Sequence, residues 1–185
     1  MAQAKKRQKF FDVSIPSLER ETQLYGYDLK DLEGRYIKYD LTRLLRGKSI
    51  LLQLKVKIQG DKAVAEPREM RVMPYFIRRM MRKGTNYVED SFSAECKDAQ
   101  VRIKPFFITR KKVSRAVRKA LREKAKEELI NYVKSKSVNV LFEEIMKNRV
   151  QKPLSLKLKK IYPLSLCEIR VFKVEKYLES KEKEK

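Results

Sequence analysis

Nine Lys and Arg residues lie between Arg110 and Lys126, and the one acid among them is Glu123. Ammonium and guanidinium groups neutralise phosphates, and this neutralisation releases bound counterions. The segment has the pattern of a loop that leads into an amphipathic helix, so its charges belong to a folded element. A fixed arrangement of charge favours a partner that has its own shape. We therefore expect structured RNA to bind here.

Two further basic clusters accompany this segment, one in the first ten residues and one in a predicted helix that follows Pro74. Each has an alternative explanation: a disordered segment for the first cluster, and a favourable interaction with the helix macrodipole for the second. For the long helix, the alternative is a solvated face. The residues that we predict to bind RNA are Lys5, Lys6, Arg7, Lys9, Arg78, Arg79, Arg82, Lys83, Arg110, Lys111, Lys112, Arg115, Arg118, Lys119 and Arg122.

Aromatic residues lie next to these clusters. Phe10 and Phe11 follow the first one, and Phe106 and Phe107 precede the basic loop. Adjacent side chains of a strand point to opposite faces, so one ring of each pair is expected to face away from the core. Such a ring could stack on an unpaired base.

The whole chain shares the bias toward positive charge, since 46 Lys and Arg against 24 Asp and Glu give a net charge of +22 on 185 residues. Self-repulsion destabilises an isolated domain and is relieved by bound counter-charge, so we expect a permanent complex. The absence of histidine excludes Ser-His-Asp and Cys-His catalysis and histidine zinc sites. The sequence also has no Gly-Lys-Ser or Gly-Lys-Thr phosphate loop. We expect neither enzymatic activity nor a cofactor.

A metal-dependent nuclease that uses Glu89, Asp90, Glu95 and Asp98 remains formally open. Strand alternation would spread these carboxylates over two faces, so we favour solvated acids and predict no metal site. Cys96 and Cys167 are far apart in apolar-alternating segments, which indicates buried thiols. No apolar run approaches the ~20 residues of a membrane span, and we expect a cytoplasmic protein without membrane contact.

The apolar pattern predicts α+β structure. Strands are expected before Pro16 and at 35–39, 52–58, 63–66, 92–96, 101–107 and 167–174, with the last one an interior strand that is apolar on both faces. Helices are expected at 74–83, 114–133, 137–147 and from Pro153 to a point before Tyr162, although the leucines of the last segment also fit a strand. Residues 18–32 give no clear prediction.

These elements are expected to form one domain over residues 11–177, between a basic arm at 1–10 and a charged, disordered tail at 178–185. The helix at 114–133 is the element that must position the largest cluster. At ~1.5 Å per residue it is about 30 Å long. That length is enough to follow several phosphates.

Several segments, in order along nearly the whole chain, resemble the small-subunit ribosomal protein family called S-three-a in eukaryotes and S-one-e in archaea, and the compact archaeal form is the closer match. The segments are Ile161-Tyr162-Pro163-Leu164 with Cys167-Glu168-Ile169-Arg170 and Lys173-Val174, Phe11-Asp12-Val13 before Pro16, Leu32 with Gly34-Arg35 before Asp40-Leu41, and Thr109-Arg110-Lys111 before Ser114-Arg115-Ala116-Val117-Arg118-Lys119. The chain departs from the family pattern at 66–71 and at Arg115, so contacts of those family side chains are not carried over.

The resemblance implies an antiparallel, barrel-like sheet with flanking helices. It also implies a position on the platform of the small ribosomal subunit near the messenger RNA exit. The expected partners are small-subunit ribosomal RNA, neighbouring ribosomal proteins and messenger RNA near the exit. The alternative is a free RNA-binding factor of translation or ribosome maturation, which would exchange on and off its target.

Overall fold

The computed structural model describes residues 7–45 and 47–178, which form mixed, mostly antiparallel α+β structure. The strands are β1 (Lys9–Ile15), β2 (Arg20–Gly26), β3 (Tyr36–Asp40), β4 (Ile50–Gln59), β5 (Lys62–Val72), β6 (Tyr87–Glu89), β7 (Phe92–Glu95), β8 (Ala99–Thr109) and β9 (Leu164–Tyr177). The helices are α1 (Pro74–Met80), α2 (Arg115–Lys134), α3 (Val138–Met146) and α4 (Gln151–Lys159). The described residues divide into two compact units: unit 1 contains residues 7–39 and 52–68, and unit 2 contains residues 40–45, 47–51 and 69–178.

Unit 1 is a small sheet with a buried apolar face. β1 pairs antiparallel with β2 and parallel with β5, while β4 pairs with β3 and β5. Alternation along β4 buries Leu52, Leu54 and Val56, as the sequence predicts. Gly60 has a φ of +62° in the β4–β5 turn, a conformation that glycine adopts without steric cost.

Unit 2 contains a sheet in which β9 lies between β5 and β8, and β8 also pairs with β6 and β7. These pairings are antiparallel. Helices cover one face of this sheet: Phe142 of α3 and Phe172 of β9 are both fully buried, and their rings meet edge to face with centroids 4.9 Å apart. α2 contributes Leu121, Ala125 and Leu129 to the core at helical spacing.

The structure corrects two predictions and assigns one segment that had no prediction. The helix that begins at Pro74 ends at Met80, so Arg82 and Lys83 lie beyond it in a turn. Residues 20–26, which gave no prediction, form β2, because pairing with β1 stabilises a mostly exposed edge strand. β9 is the predicted interior strand, but Lys173 is exposed, so the strand is not apolar on both faces.

The predicted barrel-like closure is not confirmed. In neither unit do the described strand pairings close into a ring. In unit 1, side chains bridge the edge strands β2 and β3: the Arg35 guanidinium donates to the Tyr25 carbonyl oxygen at 2.9 Å, and that of Arg20 donates to the Tyr39 hydroxyl at 3.4 Å. These side-chain hydrogen bonds do not close the sheet, so the backbone pairings of the described residues remain open.

The prediction of buried thiols is confirmed, since Cys96 and Cys167 are both free and buried. Burial raises the pKa of the Cys167 thiol to about 12, so it remains protonated at neutral pH. Cys167 is therefore not poised as a nucleophile. Within the described residues, no helix is both long and apolar enough to cross a membrane.

Candidate nucleic-acid interface

The first half of α2 presents three arginines on one side. Arg115, Arg118 and Arg122 are separated by three and four residues, and this spacing places side chains on the same helix face. The buried residues of α2 continue along this same side, since Ala125 follows Arg118 by seven residues and Leu129 follows Arg122 by seven. Packing of that side against the core fixes the direction of the arginine face.

Ser114 caps the start of α2. Its Oγ accepts a hydrogen bond from the backbone N–H of Val117 at 3.4 Å, which satisfies one of the free N–H groups of the first turn. The cap holds the first turn in helical geometry. Because Arg115 is the first residue of that turn, the cap also helps to position the arginine face.

Asn86 anchors the loop before α2. Its side-chain Oδ1 accepts from the Val113 N–H at 2.8 Å, and its backbone N–H and carbonyl both bond to the Thr109 hydroxyl at 3.0 Å. Thr109 is fully buried. These bonds connect the end of β8, the loop and the segment before β6. The basic loop therefore leaves the sheet in a defined direction.

Three arginines and strand β6 line one open groove, which we call the arginine groove. Its volume is about 580 Å³, and its lining residues are Thr85, Asn86, Tyr87, Val88, Glu89, Arg115, Arg118 and Arg122. The Nε atom of Arg118 is buried and has no hydrogen-bond partner among the described residues. Guanidinium groups form strong, charge-assisted hydrogen bonds to phosphate, so the groove has donors suited to an RNA backbone.

Tyr87 adds an aromatic surface to the arginine groove. Its side chain is 55% exposed, and its ring stacks on the buried Phe106 ring with centroids 6.3 Å apart. The stacking fixes the ring while one side remains open. Sequence analysis missed Tyr87, because a three-residue strand gives too short a pattern to show which side chain faces out.

The aromatic prediction is wrong for one pair. Phe106 and Phe107 are both buried, since α1 covers the strand face that carries Phe106 and places Phe76 and Ile77 against it. In the other pair, Phe10 is 69% exposed and its ring lies 4.9 Å from that of Tyr25, centroid to centroid.

The other predicted cations do not line the arginine groove. Arg78 and Arg79 lie in the last turn of α1, and Arg79 sits over the Phe76 ring at 5.4 Å. Arg82 and Lys83 occupy the turn next to the groove, because the hydroxyl of the lining residue Thr85 donates to the Arg82 carbonyl oxygen at 2.7 Å.

The basic loop and the N-terminal cluster lie on other parts of the chain. Arg110, Lys111 and Lys112 are exposed on the loop between β8 and α2. Arg7 and Lys9 are exposed at the start of unit 1, whereas Lys5 and Lys6 fall outside the described residues.

Acidic side chains near the groove form ion pairs or accept hydrogen bonds. Glu123 lies 3.7 Å from Lys119, one helical turn away, and both are exposed, so this pair contributes little stability. Glu89 accepts from the Arg170 guanidinium at 2.8 Å, and the Asp90 carboxylate accepts from the Ser91 N–H. Among residues 7–45 and 47–178, no three side chains of His, Cys, Asp or Glu group as metal ligands would.

The cap at Ser114 gives a first prediction. Ser114→Ala should lower the free energy of unfolding by about 1 kcal/mol, because the Val117 N–H loses its acceptor. Urea unfolding of the purified protein measures this change. Ser114→Thr keeps the acceptor and is the control. If Ser114→Ala were as stable as the wild type, the cap would not hold the helix start.

Comparison with known proteins identifies the family of this chain. A model of the ribosomal S3Ae family matches residues 3–177. The small ribosomal subunit protein eS1 of Nanoarchaeum equitans is 26% identical over 187 residues, covering 96% of this chain and 92% of the relative. Its counterparts in Methanothermobacter thermautotrophicus and Pyrobaculum aerophilum are 25% and 29% identical; the matches cover 89% and 75% of this chain and 88% and 64% of the relatives. The chain therefore belongs to the ribosomal S3Ae family.

Proposed function

We propose that this chain is a structural constituent of the small ribosomal subunit and binds ribosomal RNA through the arginine groove. The observation that carries the proposal is the convergence of three arginines of α2 on one open groove of about 580 Å³. Family membership and relatives named small ribosomal subunit proteins support the ribosomal role.

The chemistry of the groove favours contacts to the RNA backbone. Arginine presents a planar fork of N–H donors that matches two oxygens of one phosphate. Such contacts position a folded RNA and carry little sequence information. Each arginine of this set follows the one before it by about one helical turn, which is a rise of about 5 Å. Arg115, Arg118 and Arg122 can therefore contact successive phosphates.

Membership of the family also supports the expected location, the expected protein partners and the expected lack of enzymatic activity. It supports a cytoplasmic location on the ribosome and association with neighbouring small-subunit proteins. It also favours a protein without a reaction of its own, since the family is one of ribosomal proteins. The platform position near the messenger RNA exit, and contact with messenger RNA there, remain part of the proposal and rest on the resemblance described above.

Sedimentation in high salt distinguishes the proposal from its alternative, a free RNA-binding factor of translation or maturation. A constituent of the assembled subunit should remain with small subunits when exposed contacts are screened, because buried contacts are screened much less. A free factor should dissociate. The proposal is contradicted if the tagged chain leaves the subunit fraction at moderate salt while known constituents remain.

Tyr87 provides a second prediction. Tyr87→Ala should weaken binding to small-subunit RNA by about 1–3 kcal/mol, because a base that stacks on the exposed ring loses its platform. Filter binding of the purified variant measures this loss. Tyr36 is similarly exposed at 57% and does not line the groove, so Tyr36→Ala is the matched control. Equal affinities for Tyr87→Ala and the wild type would exclude stacking at this ring.

A further inference from the structure

A second groove lies on the sheet of unit 2. Its volume is about 620 Å³, and we call it the sheet groove. Its lining residues are Glu69, Arg71, Val72, Pro74, Arg102, Lys104, Arg170, Val171, Lys173 and Glu175. Five of these side chains are cationic and two are anionic. None of the five cations is among the RNA-binding residues predicted from the sequence.

The register of three strands brings these cations together. Lys173 of β9 lies opposite Arg102 of β8, and Val171 of β9 lies between Lys104 of β8 and Arg71 of β5. Residues directly opposite on antiparallel strands have Cβ atoms about 4.5–5.5 Å apart, and like charges at that distance are destabilising. On its other side Lys173 lies opposite Glu69 of β5, but Glu69 is paired with Arg71, so the cations remain in excess where the three strands meet.

The acids of the sheet groove already have partners. Glu69 accepts from the Arg71 guanidinium, and Glu175 accepts from Ser93 and from Arg102. The Ser93 hydrogen bond keeps the pKa of Glu175 below its usual value; burial opposes this effect and Arg102 adds to it. By contrast, Lys104 and Lys173 form no hydrogen bond or ion pair within the described part of the chain. These two ammonium groups are the ones that remain available to an anion.

One ion pair connects the two grooves. Glu89 lines the arginine groove, Arg170 lines the sheet groove, and their side chains meet at 2.8 Å. The grooves are therefore neighbours, and both are rich in cations. A polymer of phosphates fits two adjacent cationic grooves better than a single small anion does, because each phosphate neutralised adds to the affinity.

We infer that the sheet groove is a second binding surface for the sugar-phosphate backbone of RNA, with Lys104 and Lys173 as its contacts to phosphate. This inference rests on the proposed function and extends it to a face of the sheet on which sequence analysis predicted no binding. Arg71, Arg102 and Arg170 are each paired with a carboxylate, so the net positive charge of this surface comes from the two lysines. The surface would hold RNA without reading its sequence.

The test measures binding of purified small-subunit RNA to the full chain over a series of salt concentrations. Lys104→Ala with Lys173→Ala should reduce the slope of log affinity against log salt by about 1.4–1.8, the value for two phosphate contacts. The matched control is Lys97→Ala with Lys134→Ala, which removes the same charge from two exposed lysines that line neither groove. The control should keep the wild-type slope. Circular dichroism of each variant checks that the fold is retained.

A substitution that removes a negative charge, and should therefore strengthen binding, provides a second test. Glu89→Gln removes the negative charge between the two grooves and frees Arg170 for phosphate, so binding should become tighter than in the wild type. An unchanged slope in the Lys104 and Lys173 variant, or an equal change in the control, overturns the inference. If the wild type itself bound this RNA without dependence on salt, the proposed function would fail as well.

Discussion

Phe172→Ala should lower the free energy of unfolding by about 3–5 kcal/mol, the usual cost of removing a large aromatic side chain from a packed core. Phe172 is fully buried on β9 and meets the ring of Phe142 edge to face. β9 is the strand that joins β5 to β8, so a cavity here loosens the centre of unit 2. Urea unfolding, monitored by circular dichroism, measures the loss.

Phe10→Ala is the matched control for this substitution. It removes the same number of atoms from a side chain that is 69% exposed, so its cost should be well below that of Phe172→Ala. Adding Phe142→Ala completes a double-mutant cycle, and the coupling energy should be about 0.5–1.5 kcal/mol for an edge-to-face pair. If the buried and the exposed substitutions cost the same, the described core of unit 2 is incorrect.

The second large effect concerns RNA. Removing the arginines of the groove by Arg115→Ala, Arg118→Ala and Arg122→Ala should weaken binding to small-subunit RNA. The slope of log affinity against log salt should fall by about 2.1–2.7, since each lost phosphate contact contributes about 0.7–0.9. Filter binding across a salt series measures both quantities. Alanine favours helix, so α2 should remain folded in this variant.

A variant that loses the same charge elsewhere shows whether the effect depends on the position of the arginines or only on net charge. Lys134→Ala, Lys152→Ala and Lys159→Ala remove three exposed cations that line neither groove. This variant should lose much less of the slope. A slope that is unchanged in the arginine variant would remove α2 from the RNA interface, and an equal loss in both variants would show that position on the surface does not matter.

Long helices and strands were predictable because many apolar residues at regular spacing indicate the same type of secondary structure. The helix expected at 114–133 is observed at Arg115–Lys134, and its Ser114 cap is present. Shorter elements lack this redundancy. The helix from Pro74 was expected to continue to residue 83. It ends at Met80, because Met81 adopts extended geometry with a ψ of 131°.

The polar face of β9 could not be predicted from the sequence, because the pairing of β9 with β8 is irregular. Register shifts in the β8–β9 ladder occur between Gln100 and Val101 and between Lys104 and Pro105, so the strand does not keep a simple two-residue period. Because the sequence of β9 looks like a continuous apolar strand, it does not indicate that Lys173 is exposed on one face. The grooves themselves depend on which strands become neighbours, and no local pattern contains that information.

The central claim is that the cations of unit 2 are held on fixed elements so that ribosomal RNA can neutralise them. A density map of the small ribosomal subunit that contains this chain tests it most directly. We predict phosphate oxygens within hydrogen-bonding distance of the guanidinium groups of Arg115, Arg118 and Arg122. A map in which the arginine groove faces bulk solvent, or is filled by a protein neighbour, would contradict the account.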